Sequence, residues 1–270
     1  MNKNDHFITS NQRIEYIDAI KGFLILSVVM CHVAGYCMGI QDDIPSFHPI
    51  MFEIRNPPFF FISGFFAYKA TNCWNGNFTI HLKKKMQAIL WPSILFLTVL
   101  LYIHPSFNGR TFLYDNIKDL WFYWYTFALT IYFIFYSFIK FVLYKIKCNE
   151  TIENVVLLSC GLLSYLLFSV QSVYDLLPVP AQVKLASGMI YWGFFLFFIL
   201  GILTKKYHDK FTQLIANQYF ACACLFTFIL FNIFHQPLID TYYNLFRIVT
   251  YLTGIIIVYI FYSWCIVPFS

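Results

Sequence analysis

Apolar residues along this chain gather into eight long runs, at roughly 17–39, 50–70, 86–104, 119–144, 152–170, 186–204, 217–235 and 243–265. At about 1.5 Å per residue of α-helix, runs of this length cross a hydrocarbon core of about 30 Å. A membrane β-barrel needs alternating segments of about ten residues instead. The pattern predicts an all-α fold, a polytopic transmembrane bundle of about eight helices. The joins between runs are short, so no soluble domain is expected, and a single domain over 1–270 is predicted. The first run continues to full spanning length without a cleavage site, so no removable signal peptide is expected.

Composition agrees with the pattern. The chain is 60% hydrophobic, 22% aromatic and 11% charged, whereas soluble domains average about 25% charged residues. The few charges are ordered. Lys3, Arg13, Lys21, Lys69, Lys83, Lys84, Lys85, Lys140, Lys145, Lys147, Lys205, Lys206 and Lys210 fall at or after alternate joins. The intervening joins hold only Arg110, Lys118 and Lys184, beside Asp42, Asp43, Asp115, Asp119, Asp175 and Asp240. The positive-inside rule then places both termini in the cytoplasm. The net charge of +5 is thus a topological signature, and no nucleic-acid partner is expected. The basic segment "HLKKKMQ" is suited to anionic lipid headgroups or an anionic cytoplasmic ligand. The eight cysteines contain no C-x-x-C pair, and no metal site is predicted from their spacing.

Polar residues inside apolar runs need a reason, because each is costly in hydrocarbon. In "YIDAIKGFLILSVVMCHVAGYCM", Lys21 and His32 stand eleven residues apart. At about 100° per residue that is three turns with a small offset, about 16 Å along the axis. Asp18 lies within about 40° of the same stripe. The run therefore aligns a cation and a carboxylate at the cytoplasmic mouth with an imidazole beyond mid-membrane. Imidazole is the common proton-transfer group near neutral pH, which makes His32 the candidate general base. Lys21 equally suits an ordinary snorkelling flank, and His32 a buried histidine bonded to a backbone carbonyl.

The second run, "HPIMFEIRNPPFFFISGFFAYKA", carries Glu53 and Arg55 in its outer turns. Pro57 and Pro58 remove two backbone donors and disfavour regular helix just before them. An irregular segment is expected there, with Arg55 turned inward. Arg247, in "TYYNLFRIVTYLTG", falls at a similar depth in the last run. Two arginines at this level point to an anion or a polyhydroxyl substrate. The tryptophans Trp91, Trp121, Trp124 and Trp192 read as interfacial belts and packing.

With these residues the chain resembles the acyltransferase 3 family. The resemblance rests on "RIEYIDAIKGFLILSVVMCHV", "NPPFFFISGFFAYKA", "LKKKMQAILWP", "LWFYWYTFALTIYFIFY" and "YWGFFLFFILGILTKKY", in that order, over about residues 13–207. In that family a basic residue, ten intervening residues and a histidine mark the first helix, and Lys21 and His32 match. Its basic position is often arginine, and many members have histidine where this chain has Arg55. Members typically have ten helices, so the last two are expected to be missing here.

The resemblance implies a multi-pass acyltransferase of a bacterial cytoplasmic membrane, similar to sugar O-acetylases of the fucose 4-O-acetylase type. It implies an acyl-coenzyme A co-substrate, acetyl-coenzyme A, and a sugar or cell-surface glycan as acceptor. No bound cofactor is implied. On this reading Lys21, Asp18 and Lys84 hold the coenzyme A phosphates and His32 is the general base. Arg55, Glu53 and Arg247 bind the acceptor or the oxyanion. Two other classes suit the same residues: a transporter of a glycan or acyl intermediate, and an inactive shortened relative. The acyl group, the acceptor and the oligomeric state are not set by the sequence.

Overall fold

Every element among the described residues is helical. The computed structural model describes residues 15–33, 47–68, 78–103, 124–169, 191–233 and 239–266. In chain order they form α1 (Glu15–His32), α2 (Phe47–Ala67), α3 (Phe78–Ile103), α4 (Trp124–Lys145) and α5 (Glu150–Ser169). A 3₁₀ turn (Trp192–Phe194) leads into α6 (Phe195–Lys206), followed by α7 (His208–Ile215), α8 (Gln218–Ile233) and α9 (Ile239–Ile266). Eight of these match the eight apolar runs. The join charges Lys3, Arg13, Lys69, Arg110, Lys118 and Lys184 lie outside the described residues, as do Asp42, Asp43, Asp115, Asp119, Asp175 and Trp121.

The ninth helix, α7, was not expected. Its sequence, HDKFTQLI, reads as a basic join, yet it has no glycine or proline to break it. It meets α8 at a bend of 76°, and Asn217 caps the new helix by accepting from the Tyr219 N–H at 3.0 Å. Among the described residues, Trp124–Lys145 and Glu150–Leu167 are long and apolar enough to cross a bilayer. Counting α7 and α8 as one broken span makes three.

Two expectations about local structure are corrected. Lys83, Lys84 and Lys85 lie within α3 rather than in a join. Lysine is a good helix former and its stem can lie along an apolar surface, so the helix extends past the apolar boundary. Likewise α2 passes through Pro57 and Pro58 as continuous helix. Asn56, Pro57 and Pro58 are all buried, and packing on this turn offsets the two missing backbone donors.

The chain divides into two compact units. One comprises 60–208 with 241–245, the other 1–59, 209–240 and 246–270. In the first, α6 is the centre: Phe195, Leu196, Phe197, Phe198 and Ile199 are all buried. Lipid tails are as apolar as these side chains, so close packing rather than water exclusion must hold the helices together. Two glycines show how. A Cβ on Gly64 would stand 1.9 Å from the Phe198 carbonyl oxygen, and one on Gly201 1.8 Å from that of Phe61. The C-terminal part of α2 thus crosses α6 with backbone against backbone. Above the crossing, Phe60 stacks on Phe194 at 5.2 Å and tilts against Tyr125 at 4.9 Å. Ser63 Oγ and the Tyr125 hydroxyl share a hydrogen bond of 2.6 Å. Trp124 and Trp192 belong to this aromatic cluster, whereas Trp91 is exposed.

An ionic clamp joins the basic C-terminal ends of α4 and α6 to the acidic first turn of α5. Lys140 Nζ lies 2.7 Å from Glu153 Oε2, with Lys140 buried and Glu153 half-buried. Lys206 Nζ donates to Asn154 Oδ1 at 2.7 Å and lies 3.4 Å from Glu153 Oε1. Lys140 and Lys206, counted in the sequence only as orienting charges, are therefore structural. The α4–α5 hairpin that brings them together closes on Lys147 in the left-handed region, at φ 55°. There the Cys148 N–H reaches back to the Leu143 carbonyl at 3.1 Å. Glu153→Gln removes the charge that faces both lysines and is expected to lower stability by about 2 kcal/mol. Thermal unfolding in detergent checks this, and an unchanged midpoint would show the clamp to be idle.

In the other unit, α1 buries Ile17, Ile20, Leu24 and Ser27 on one face. Phe23 of α1 meets Tyr262 of α9 with ring centroids 5.7 Å apart. Phe211 of α7 packs edge-on against Tyr259 of α9 at 5.0 Å.

Candidate active site

Helix α1 is unbroken from Glu15 to His32, so the helical spacing that aligns Asp18, Lys21 and His32 holds in the folded chain. Lys21 Nζ lies 3.1 Å from Asp18 Oδ1, and the two side chains are 37% and 34% exposed. A pair this exposed is worth about 0–1 kcal/mol, so it can open at little cost. The stripe runs beside the buried face rather than along it. Its neighbours Ile25 and Val29, at nearly the same azimuth, are exposed. His32 is placed by its position as the last residue of α1, and its side chain lies outside the described residues.

On α2, Arg55 is half-buried and donates from Nε to Asn56 Oδ1 at 3.0 Å. The backbone of Glu53 is helical, and its side chain lies outside the described residues. On α9, the Arg247 guanidinium carbon stands 5.3 Å from the centre of the Tyr251 ring, a cation–π arrangement that holds the cation along the helix. Lys84 is exposed on α3, in the other unit from the remaining candidates.

Sequence reasoning missed Asn56. It is 6% exposed, sits between Arg55 and Pro57, and gives α2 a buried carboxamide at the level of its arginine. The signal was present: a carboxamide inside an apolar run is costly unless it is hydrogen-bonded, and so needs a partner. Together, α1 carries a lysine and, three turns on, a histidine, and α2 and α9 each carry an arginine.

A family model described as an acyltransferase domain matches residues 14–267, well beyond the stretch whose resemblance was visible by motif. No curated protein and no solved structure matches the chain. With the family match covering nearly its whole length, this chain belongs to the acyltransferase 3 family.

Proposed function

We propose that this membrane acyltransferase moves an acetyl group from acetyl-coenzyme A, supplied from the cytoplasm, to a hydroxyl of a sugar or cell-surface glycan. Its site of action is the cytoplasmic membrane of a bacterium. One observation carries the reading: α1 is a single helix that keeps Lys21 and His32 on one stripe, within the region the family model matches. Their axial gap of about 16 Å is close to the reach of a pantetheine arm, so phosphates held at Lys21 set the thioester near His32.

His32 takes the proton of the acceptor hydroxyl as its oxygen attacks the thioester carbonyl. A guanidinium, from Arg55 or Arg247, faces the charge that develops on the carbonyl oxygen. The carbon–sulfur bond then breaks, the ester remains on the sugar, and the coenzyme A thiolate leaves and takes up a proton. Lys21, with Asp18 beside it on α1, balances the donor phosphates as a point charge.

The test is transfer of label from radiolabelled acetyl-coenzyme A to glycan in membranes containing the chain. Lys21→Ala is expected to raise the KM for acetyl-coenzyme A about ten-fold, the scale of one lost charged contact, with kcat held. Absence of labelled glycan with folded protein would overturn the reading. An unchanged donor KM in Lys21→Ala would remove Lys21 from the donor site.

A further inference from the structure

The turn of α2 from Glu53 to Pro58 carries more hydrogen-bonding capacity than the fold uses. A guanidinium only donates, so the Asn56 atom 3.0 Å from Arg55 Nε is the carboxamide oxygen. That fixes the amide orientation and turns the NH₂ group away from Arg55. The Nδ2 atom is buried and makes no hydrogen bond among the described residues. Such a group is normally satisfied, and an exception requires an explanation.

The same turn holds acceptors with no helical donor. Residues 57 and 58 are both proline inside the helix, so the carbonyls of Glu53 and Ile54 receive no backbone N–H from the following turn. One turn thus offers two amide N–H donors and two carbonyl acceptors, beside a half-buried guanidinium. A phosphate or carboxylate has only acceptors and would face those carbonyl oxygens unfavourably. An ammonium would leave the amide donors unused, and an acyl chain would leave every group unused. Of these classes hydroxyls both donate and accept, and two neighbouring ring hydroxyls match the set.

We infer that this turn is the acceptor subsite, in which the Asn56 amide and the proline-freed carbonyls of Glu53 and Ile54 bind hydroxyls of a sugar ring, making Asn56 a specificity-determining residue. The inference rests on the acyltransferase reading above. It gives the two prolines a purpose beyond shaping the helix, since each withholds one donor that would otherwise occupy an acceptor carbonyl.

The experiment uses the full chain in detergent with labelled acetyl-coenzyme A and methyl glycosides of glucose, galactose, fucose and N-acetylglucosamine as acceptors. Asn56→Leu, similar in volume, removes the donors. The acceptor KM is expected to rise at least ten-fold, with the KM for acetyl-coenzyme A unchanged and the unfolding temperature not lowered. A merely structural asparagine would instead lower the unfolding temperature and leave the acceptor KM alone, and that result overturns the inference. Pro57→Ala returns an N–H to the Glu53 carbonyl while favouring the helix. It is expected to raise the acceptor KM a few-fold with a higher unfolding temperature, and an unchanged KM there also counts against the subsite. Wild-type protein that acetylates none of the glycosides overturns the acyltransferase reading itself, and the subsite with it.

Discussion

Gly64→Ala and Gly201→Ala are each expected to prevent the α2–α6 crossing from forming and to lower stability by more than about 3 kcal/mol, the upper part of the usual range for overpacking. The cause lies in what the added methyl would strike. At both positions the obstacle is a backbone carbonyl oxygen under 2 Å away. A flexible side chain can rotate aside, but a carbonyl in a helix moves only with its helix. The two contacts are reciprocal, since Gly64 meets Phe198 and Gly201 meets Phe61, so relaxing either displaces the same pair of helices. Gly22→Ala is the control. A Cβ there meets nothing within 4 Å, and replacing glycine within a helix contributes about 0.5–1 kcal/mol. Thermal unfolding in detergent should therefore show two large drops and one small gain from the same chemical change. Equal effects at the three positions would mean that helix propensity, rather than close crossing, governs the glycines.

His32→Ala is expected to cut acyl transfer by about 10²–10⁴-fold, the typical contribution of a positioned general base, with the unfolding temperature nearly unchanged. His32 closes α1, where alanine is a better helix former than histidine, so the backbone has no reason to distort. Loss of activity with stability retained separates catalysis from structure. Donor binding should also survive, because Lys21 and Asp18 lie three turns away on the same helix.

The helices were legible because membrane spans leave long apolar runs, and helical periodicity alone puts Lys21 and His32 on a common stripe. Alpha7 was not legible: an eight-residue helix with Asp209, Lys210 and Gln213 has the composition of a join. The clamp of Lys140, Glu153 and Lys206 was hidden for another reason. Its partners come from three helices, and no spacing rule links charges across separate elements. Gly64 stood in the quoted motif "PPFFFISG" without a role, because only the crossing helix shows why a side chain is excluded. Asn56 was passed over between a charged neighbour and two prolines. Its meaning emerges from burial and an unspent amide, neither of which is written in residue order. The expected break at Pro57–Pro58 failed because proline's local preference was outweighed by the packing of a buried turn.

The central claim is that His32 activates a sugar hydroxyl toward an acyl-coenzyme A donor. Its most direct test is the initial rate of label transfer from acetyl-coenzyme A to glycan, by wild-type and His32→Ala protein at equal folded amounts. The account predicts measurable transfer by the wild type and a drop of at least about 100-fold in the variant. Equal rates in the two, with both folded, would contradict it.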